Sequence, residues 1–278
     1  MRRGGFISKN CKMGFIYSFD MSKDIAHFKR LPENIRSSAE CNVVNVIYES
    51  FVVPGDQDYL MSRLFAQNGL ERGFYWAAAQ AIEKYLKAFL VMRGVSVKNM
   101  SHGINNLFKE AIKIDTSLAH FNILPHPIIQ VENSVSQHLK TFVRSDFIND
   151  IAKHGCPDNR YNHFGVEYNI GHLFAMDSLA FQLRREIGVK SIHESFKRLS
   201  PDLILIFEKN NPFFHSEKDQ PPIKIPSHET PIQFSCSVTT LDFLTKHRSN
   251  PSYNAALRWL NVKMKLPKTI SELLKCHQ

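Results

Sequence analysis

The sequence predicts a mainly α protein: an antiparallel bundle of about five helices followed by an irregular, mixed C-terminal extension. Three observations carry this expectation. The run from Leu70 to Arg93 holds no proline and a single glycine, Gly73, among good helix formers. Other segments between 56 and 188 also place apolar residues at helical spacing, and short connections between such helices favour antiparallel neighbours. Beyond 190 the regularity fades, and five prolines (212, 221, 222, 226 and 231) fall close together. With 278 residues, 43% of them hydrophobic, the chain can bury a sizeable core.

In chain order, residues 1–55 read as an N-terminal extension. Arg2 and Arg3 precede Phe6, Ile7, Phe15 and Ile16 in the manner of a signal peptide, but Lys9, Asn10 and Lys12 interrupt the apolar part and no clean cleavage site follows. Val43 to Val53 suits a strand or a buried segment. Pro54-Gly55-Asp56 is expected to stop regular structure, with Asp56 as the N-cap of the first bundle helix.

The bundle spans 56–189. Its first helix runs from Asp56 to Asn68 and exits at Asn68-Gly69. The second, Leu70 to Arg93, places Phe74, Ala77, Ala78, Ala81, Ile82, Tyr85, Leu86, Ala88, Phe89 and Met92 on an arc wider than half the cylinder, the pattern of a helix buried on most sides. Gln80, Glu83, Lys84 and Lys87 form its polar strip, with Glu83 and Lys87 spaced for a surface ion pair. Ala77, Ala78, Ala79 and Ala81 would let neighbouring helices come close. A third helix, capped by Ser101, carries Ile104, Leu107, Phe108, Ala111 and Ile112 as its apolar stripe. After Pro125 and Pro127 a fourth is expected over Ile128 to Ile151, and a fifth over Asn169 to Ile187 with Gly188 at its C-cap.

The extension, 190–278, is harder to read. Ser200-Pro201-Asp202 is a good helix start, yet Leu203 to Phe207 is equally strand-like. Pro212 to Pro231 reads as a linker and Ile232 to Val238 as one strand. Asn250-Pro251 begins an amphipathic helix through Ala255, Ala256, Trp259 and Val262, and Pro267 separates it from a last short helix.

The formal charge of +9 points toward an acidic partner. The excess sits on the flanks: 8 basic against 5 acidic residues in 1–55, 14 against 13 in 56–189, and 13 against 8 in 190–278. Neither flank has a run of consecutive Lys and Arg, so dispersed solvated charge is the simplest reading. Five cysteines without a C-x-x-C pair argue against a disulfide framework and a zinc ribbon, which makes a cytoplasmic setting the simpler expectation. No apolar run approaches the ~20 residues of a membrane span, so no membrane is expected as a partner.

Ala-Ala-Gln-Ala-Ile-Glu-Lys-Tyr-Leu-Lys-Ala-Phe-Leu (Ala78 to Leu90), then Gly94 and Ser101-His102, resembles the HEPN (higher eukaryotes and prokaryotes nucleotide-binding) domain family. The resemblance covers roughly Asp56 to Gly188 and implies a helical bundle, a homodimer and, as contacts, RNA, a nucleotide or a protein partner, including a nucleotidyltransferase encoded nearby. Many HEPN proteins are ribonucleases in which an arginine is followed, after four to six residues, by a histidine. Such a metal-independent cutter needs a group to manage the 2′-hydroxyl proton and a cation to stabilise the charge developing on phosphate.

No arginine here has a histidine at that spacing. The nearest arrangement, Asn159-Arg160-Tyr161-Asn162-His163, leaves only two residues between Arg160 and His163, so a non-catalytic binding module is expected ahead of a toxin-like or antiphage ribonuclease using that pair. As ligand contacts, Arg160 would clamp an anion, Tyr161 would stack a base and His163 would lie beside them. His102 matches the family's histidine at the start of the third helix and is a further candidate contact, more often structural than catalytic. His154, Cys156, His163 and His172 match no compact zinc spacing, so no metal is expected. Without a Walker loop or a G-x-G-x-x-G, no cofactor is implied.

Overall fold

A computed structural model describes residues 30–100, 102–120, 143–156, 168, 170–189, 192, 196, 199–208, 211, 213, 240–264, 266 and 268–275. The signal-like segment, Ser101, the part of the expected fourth helix before 143, nearly all of the proline-rich stretch and the Ile232 to Val238 strand lie outside them. The described residues are mainly helical and contain no strand.

The chain enters as one continuous helical run: α1 (Glu33–Ile47), a π-helical turn (Tyr48–Val52) and α2 (Val53–Gln67). Val43 to Val53 takes the buried alternative and not the strand: it is helical, and Val43, Val44, Val46, Ile47 and Val52 bury their side chains from it. Pro54-Gly55 does not stop the chain, because the proline falls in the first turn of α2, directly after the wider π turn, where its missing N–H is best tolerated. Gly55 lies against α3 (Glu71–Met92), where a Cβ would meet the Tyr85 ring at 3.0 Å.

α2 and α3 form a hairpin closed by Gly69 at φ +66, with Leu70 N–H bonded to Phe65 O at 2.9 Å and Gly69 N–H to Ala66 O at 3.3 Å. All ten residues of the predicted apolar arc on α3 are buried. The expected Glu83–Lys87 pair forms at 2.6 Å, but Glu83 is only 6% exposed, so the polar strip is not simply solvated.

α4 (Ile104–Ile114) has Gly103 at its N-cap in place of the expected Ser101 and leads into a 3-10 turn, Thr116–Ala119. α5 (Arg144–His154) starts after the extended residue Val143, later than the helix expected from Ile128. α6 (Ile170–Ile187) ends at Gly188, φ +90, as its sequence predicts. α7 (Pro201–Glu208) is a helix, not a strand. The chain closes with α8 (Thr240–Lys246), α9 (Pro251–Lys263) and α10 (Lys268–Lys275). α3 packs against α2, α4, α5 and α6, while α9 packs on α1 and brings the C-terminal helices back to the start of the chain. Trp259 is fully buried there, and Val97 N–H bonds to Lys263 O at 2.6 Å.

Four buried charges tie the core together. Asp56 and Arg63 are seven residues apart on α2, and Asp177 and Arg184 are seven apart on α6. Arg184 pairs with Asp56 and Arg63 with Asp177, which requires α2 and α6 to run in opposite directions. Each aspartate also accepts a tyrosine hydroxyl at 2.6 Å: Tyr85 to Asp56, and Tyr59 to Asp177. Asn211 donates to the Tyr59 oxygen at 3.0 Å. Burial pushes the Asp177 carboxyl above its usual range, against the pull of Arg63 and of its hydrogen bonds. Burial, the largest single influence, pulls Arg63 down, but the Asp177 charge, Tyr59 and the hydrogen bonds to both together leave the guanidinium above its ordinary value. A third buried arginine, Arg144, donates to Leu118 O and, at 2.6 Å, to the Gln182 amide oxygen, joining α5 to the 3-10 turn and α6.

Burial, then the adjacent aspartate, raises the Tyr59 and Tyr85 phenols well above their ordinary value. In strong base the unfolded chain loses these protons from about pH 10 while the folded chain keeps them, so stability falls as pH rises further, by about 1.4 kcal/mol per pH unit for each phenol. Burial lowers Arg144 to about 10, and that acts in the opposite sense. It cancels when wild type is compared with Tyr59→Phe or Tyr85→Phe. Each variant is expected to flatten the alkaline slope by one proton's worth in denaturant melts; an unchanged slope would show that the phenol titrates normally.

No helix among the described residues is long and apolar enough to cross a membrane. Among the described cysteines Cys156 is free.

Candidate functional site

Of the residues singled out from sequence, Arg160, Tyr161 and His163 lie outside the described residues. His102 is described: its side chain is 90% exposed, and Nδ1 lies 2.9 Å from the Glu83 carboxylate that also receives Lys87. The ring thus ties the entry of α4 to α3. His154 and His172 pack their rings against Tyr75 with centroids 4.9 and 5.8 Å away, and Tyr168 stacks on His172 at 5.4 Å. Cys156 bonds back to Lys153 O at 3.1 Å. Among the described residues no three His, Cys, Asp or Glu side chains are grouped to hold a metal ion.

The structure gathers a different set of residues in the C-terminal helices. Glu49, in the π turn, receives the backbone N–H and the hydroxyl of Thr240 and so anchors the first turn of α8. Three residues separate Lys246, the end of α8, from Asn250, which caps α9 by accepting Ser252 N–H at 2.9 Å, with Pro251 in the first turn. Ser38 on α1 donates to the Ser252 hydroxyl at 3.2 Å, holding this turn to the N-terminal helix.

The α8–α9 turn, the first two turns of α9 and α10 line a half-open pocket of about 500 Å³. Lys246, Arg248 and Arg258 line it together with Ser249 and Asn254, and Leu273 and Leu274 form its apolar wall. Arg258 Nε donates to the Asn254 amide oxygen at 3.1 Å, one helical turn away, so the donor end of that amide is its NH2 group. Arg248 reaches Thr245 O at 3.4 Å, and its buried Nε has no hydrogen-bond partner among the described residues. No carboxylate stands among the described lining residues. Three cations with neutral donors beside them can hold an anion; the described lining residues include no histidine, cysteine or carboxylate to move a proton.

In the sequence the basic excess of 190–278 reads as dispersed. The available signal is local: Lys246 and Arg248 directly precede a helix-starting Asn-Pro, and Asn254 and Arg258 are four apart on one helix face.

Comparison with protein-family models, with curated proteins and with solved structures returned no match.

Proposed function

We propose that this chain is a non-catalytic binding module of the HEPN kind whose ligand is anionic, an RNA or a nucleotide. The observation that carries the reading is the convergence of Lys246, Arg248 and Arg258 on one pocket without a carboxylate among its described lining residues. In this reading the bundle is the scaffold and the C-terminal helices are the contact surface; the sequence resemblance adds a homodimer. The absence of turnover rests on two points: the pocket's described lining offers no acid–base pair, and Arg160 and His163 are spaced unlike the nuclease pattern.

Calorimetry with nucleotides and anisotropy with a labelled RNA oligonucleotide test the binding. An Arg248→Gln, Arg258→Gln variant is expected to bind at least tenfold more weakly, since a charge-assisted hydrogen bond contributes about 1.5–3 kcal/mol. Binding should weaken steeply with salt. Failure of the wild type to bind either class would end the reading. Total RNA incubated without divalent metal is expected to stay intact with wild type and with Arg160→Ala, His163→Ala alike; cleavage lost in the variant would restore the ribonuclease.

A further inference from the structure

We infer that the pocket between α8, α9 and α10 recognises a terminal phosphate, a phosphomonoester carried on an organic body of nucleoside size. The inference rests on the anion-binding reading above and narrows it. Its first support is charge. A phosphomonoester carries about −1.5 to −2 at pH 7 and offers three acceptor oxygens, whereas an internal phosphodiester carries a single charge. Lys246, Arg248 and Arg258 come from the end of one helix, the turn after it and the second turn of the next, yet they meet in one pocket. Such convergence suits one concentrated anion. A groove that follows a nucleic-acid strand spreads its cations and interleaves aromatic platforms, and the described lining residues include no aromatic side chain.

The second support is the donor set. Arginine presents a planar fork that matches phosphate oxygens two at a time. The Asn254 oxygen is occupied by Arg258, so its NH2 group is the end left for a ligand, and the exposed Ser249 adds a hydroxyl donor.

The third is size. About 500 Å³ far exceeds one phosphate and falls in the range of small-molecule sites, roughly 300–1,000 Å³. Leu273 and Leu274 give the remainder of the ligand an apolar wall. Two sources share this chemistry, a free phosphorylated small molecule and the 5′-phosphorylated end of an RNA.

The experiment is calorimetry on the full chain at near-physiological salt with four probes: AMP, 3′,5′-cyclic AMP, a 5′-phosphorylated hexaribonucleotide and its 5′-hydroxyl counterpart. AMP, the phosphorylated hexamer or both are expected to bind at least tenfold more tightly than the matching probe that lacks the terminal phosphate. AMP alone assigns the free small molecule, and the hexamer alone assigns the RNA end. Arg258→Gln and Arg248→Gln, each checked for an unchanged thermal melt, are expected to reduce that binding at least tenfold. Because the second phosphate proton leaves near pH 6, affinity should also fall several-fold between about pH 7.5 and 5.5. Equal binding of both hexamers together with equal binding of AMP and its cyclic form would overturn the terminal-phosphate inference while leaving an anion-binding protein. Binding of none of the four would overturn both.

Discussion

Asp177→Ala is expected to cost about 3–5 kcal/mol of folding stability, the typical cost of removing one partner from a buried ion pair. Asp177 and Arg63 have no exposed side-chain surface. Truncating the carboxylate leaves the guanidinium charged and buried, with the Ile206 carbonyl, 3.3 Å from Nε, as a remaining acceptor. The Tyr59 hydroxyl loses its acceptor in the same step. Urea unfolding should show a lower midpoint at unchanged slope. The double variant Arg63→Met, Asp177→Leu is expected to recover most of the loss, because it removes both desolvation penalties and keeps the volume. A cost under 1 kcal/mol for the single variant would mean that the pair is solvated.

The second large effect belongs to a position without a side chain. Gly155→Ala is expected to destabilise by about 3 kcal/mol, the upper part of the range for overpacking a close contact. A Cβ at Gly155 would lie 2.4 Å from the Tyr75 carbonyl oxygen, 2.7 Å from the Ala79 methyl and 2.8 Å from the Ile151 carbonyl oxygen. Two of these neighbours are backbone, so relief requires the end of α5 to move off the Tyr75 carbonyl of α3 and its own last turn to distort at Ile151. Adding Ala79→Gly should restore only part of the loss, because it removes the methyl and leaves the carbonyls. Thermal unfolding of the two variants measures this; a Gly155→Ala protein as stable as wild type would show that α5 and α3 are not in contact here. This contact also bears on the alanines of Ala77 to Ala81, expected from sequence to admit a close neighbour: at Ala79 that neighbour is Gly155.

The functional residues divide in the same way as the fold. Arg160, Tyr161 and His163 stand out by short-range spacing and fall outside the described residues, whereas Lys246, Arg248 and Arg258 gain meaning only through convergence. Leu273 and Leu274 join them from α10, and no local pattern in the sequence announces that wall.

What the sequence determined by itself is whatever depends on neighbours a few residues away. The burial of α3 follows from its apolar arc, and the ends at Gly69 and Gly188 from glycine's access to positive φ. The start of α9 follows from an asparagine cap and a proline in the first turn. What only the tertiary structure decided are the pairings between distant segments. Asp56, Arg63, Asp177 and Arg184 look in sequence like solvated charges on amphipathic helices, and Asp56 like a cap. They are core residues because α2 and α6 run antiparallel with their seven-residue spacings in register, so that each charge meets its opposite. Pro54 reads as a stop until the π turn before it is seen. Periodicity and capping act through bonds within one or two helical turns, so they are written locally; an ion pair or a pocket wall is a meeting of surfaces, and its energy exists only once the chain has brought them together.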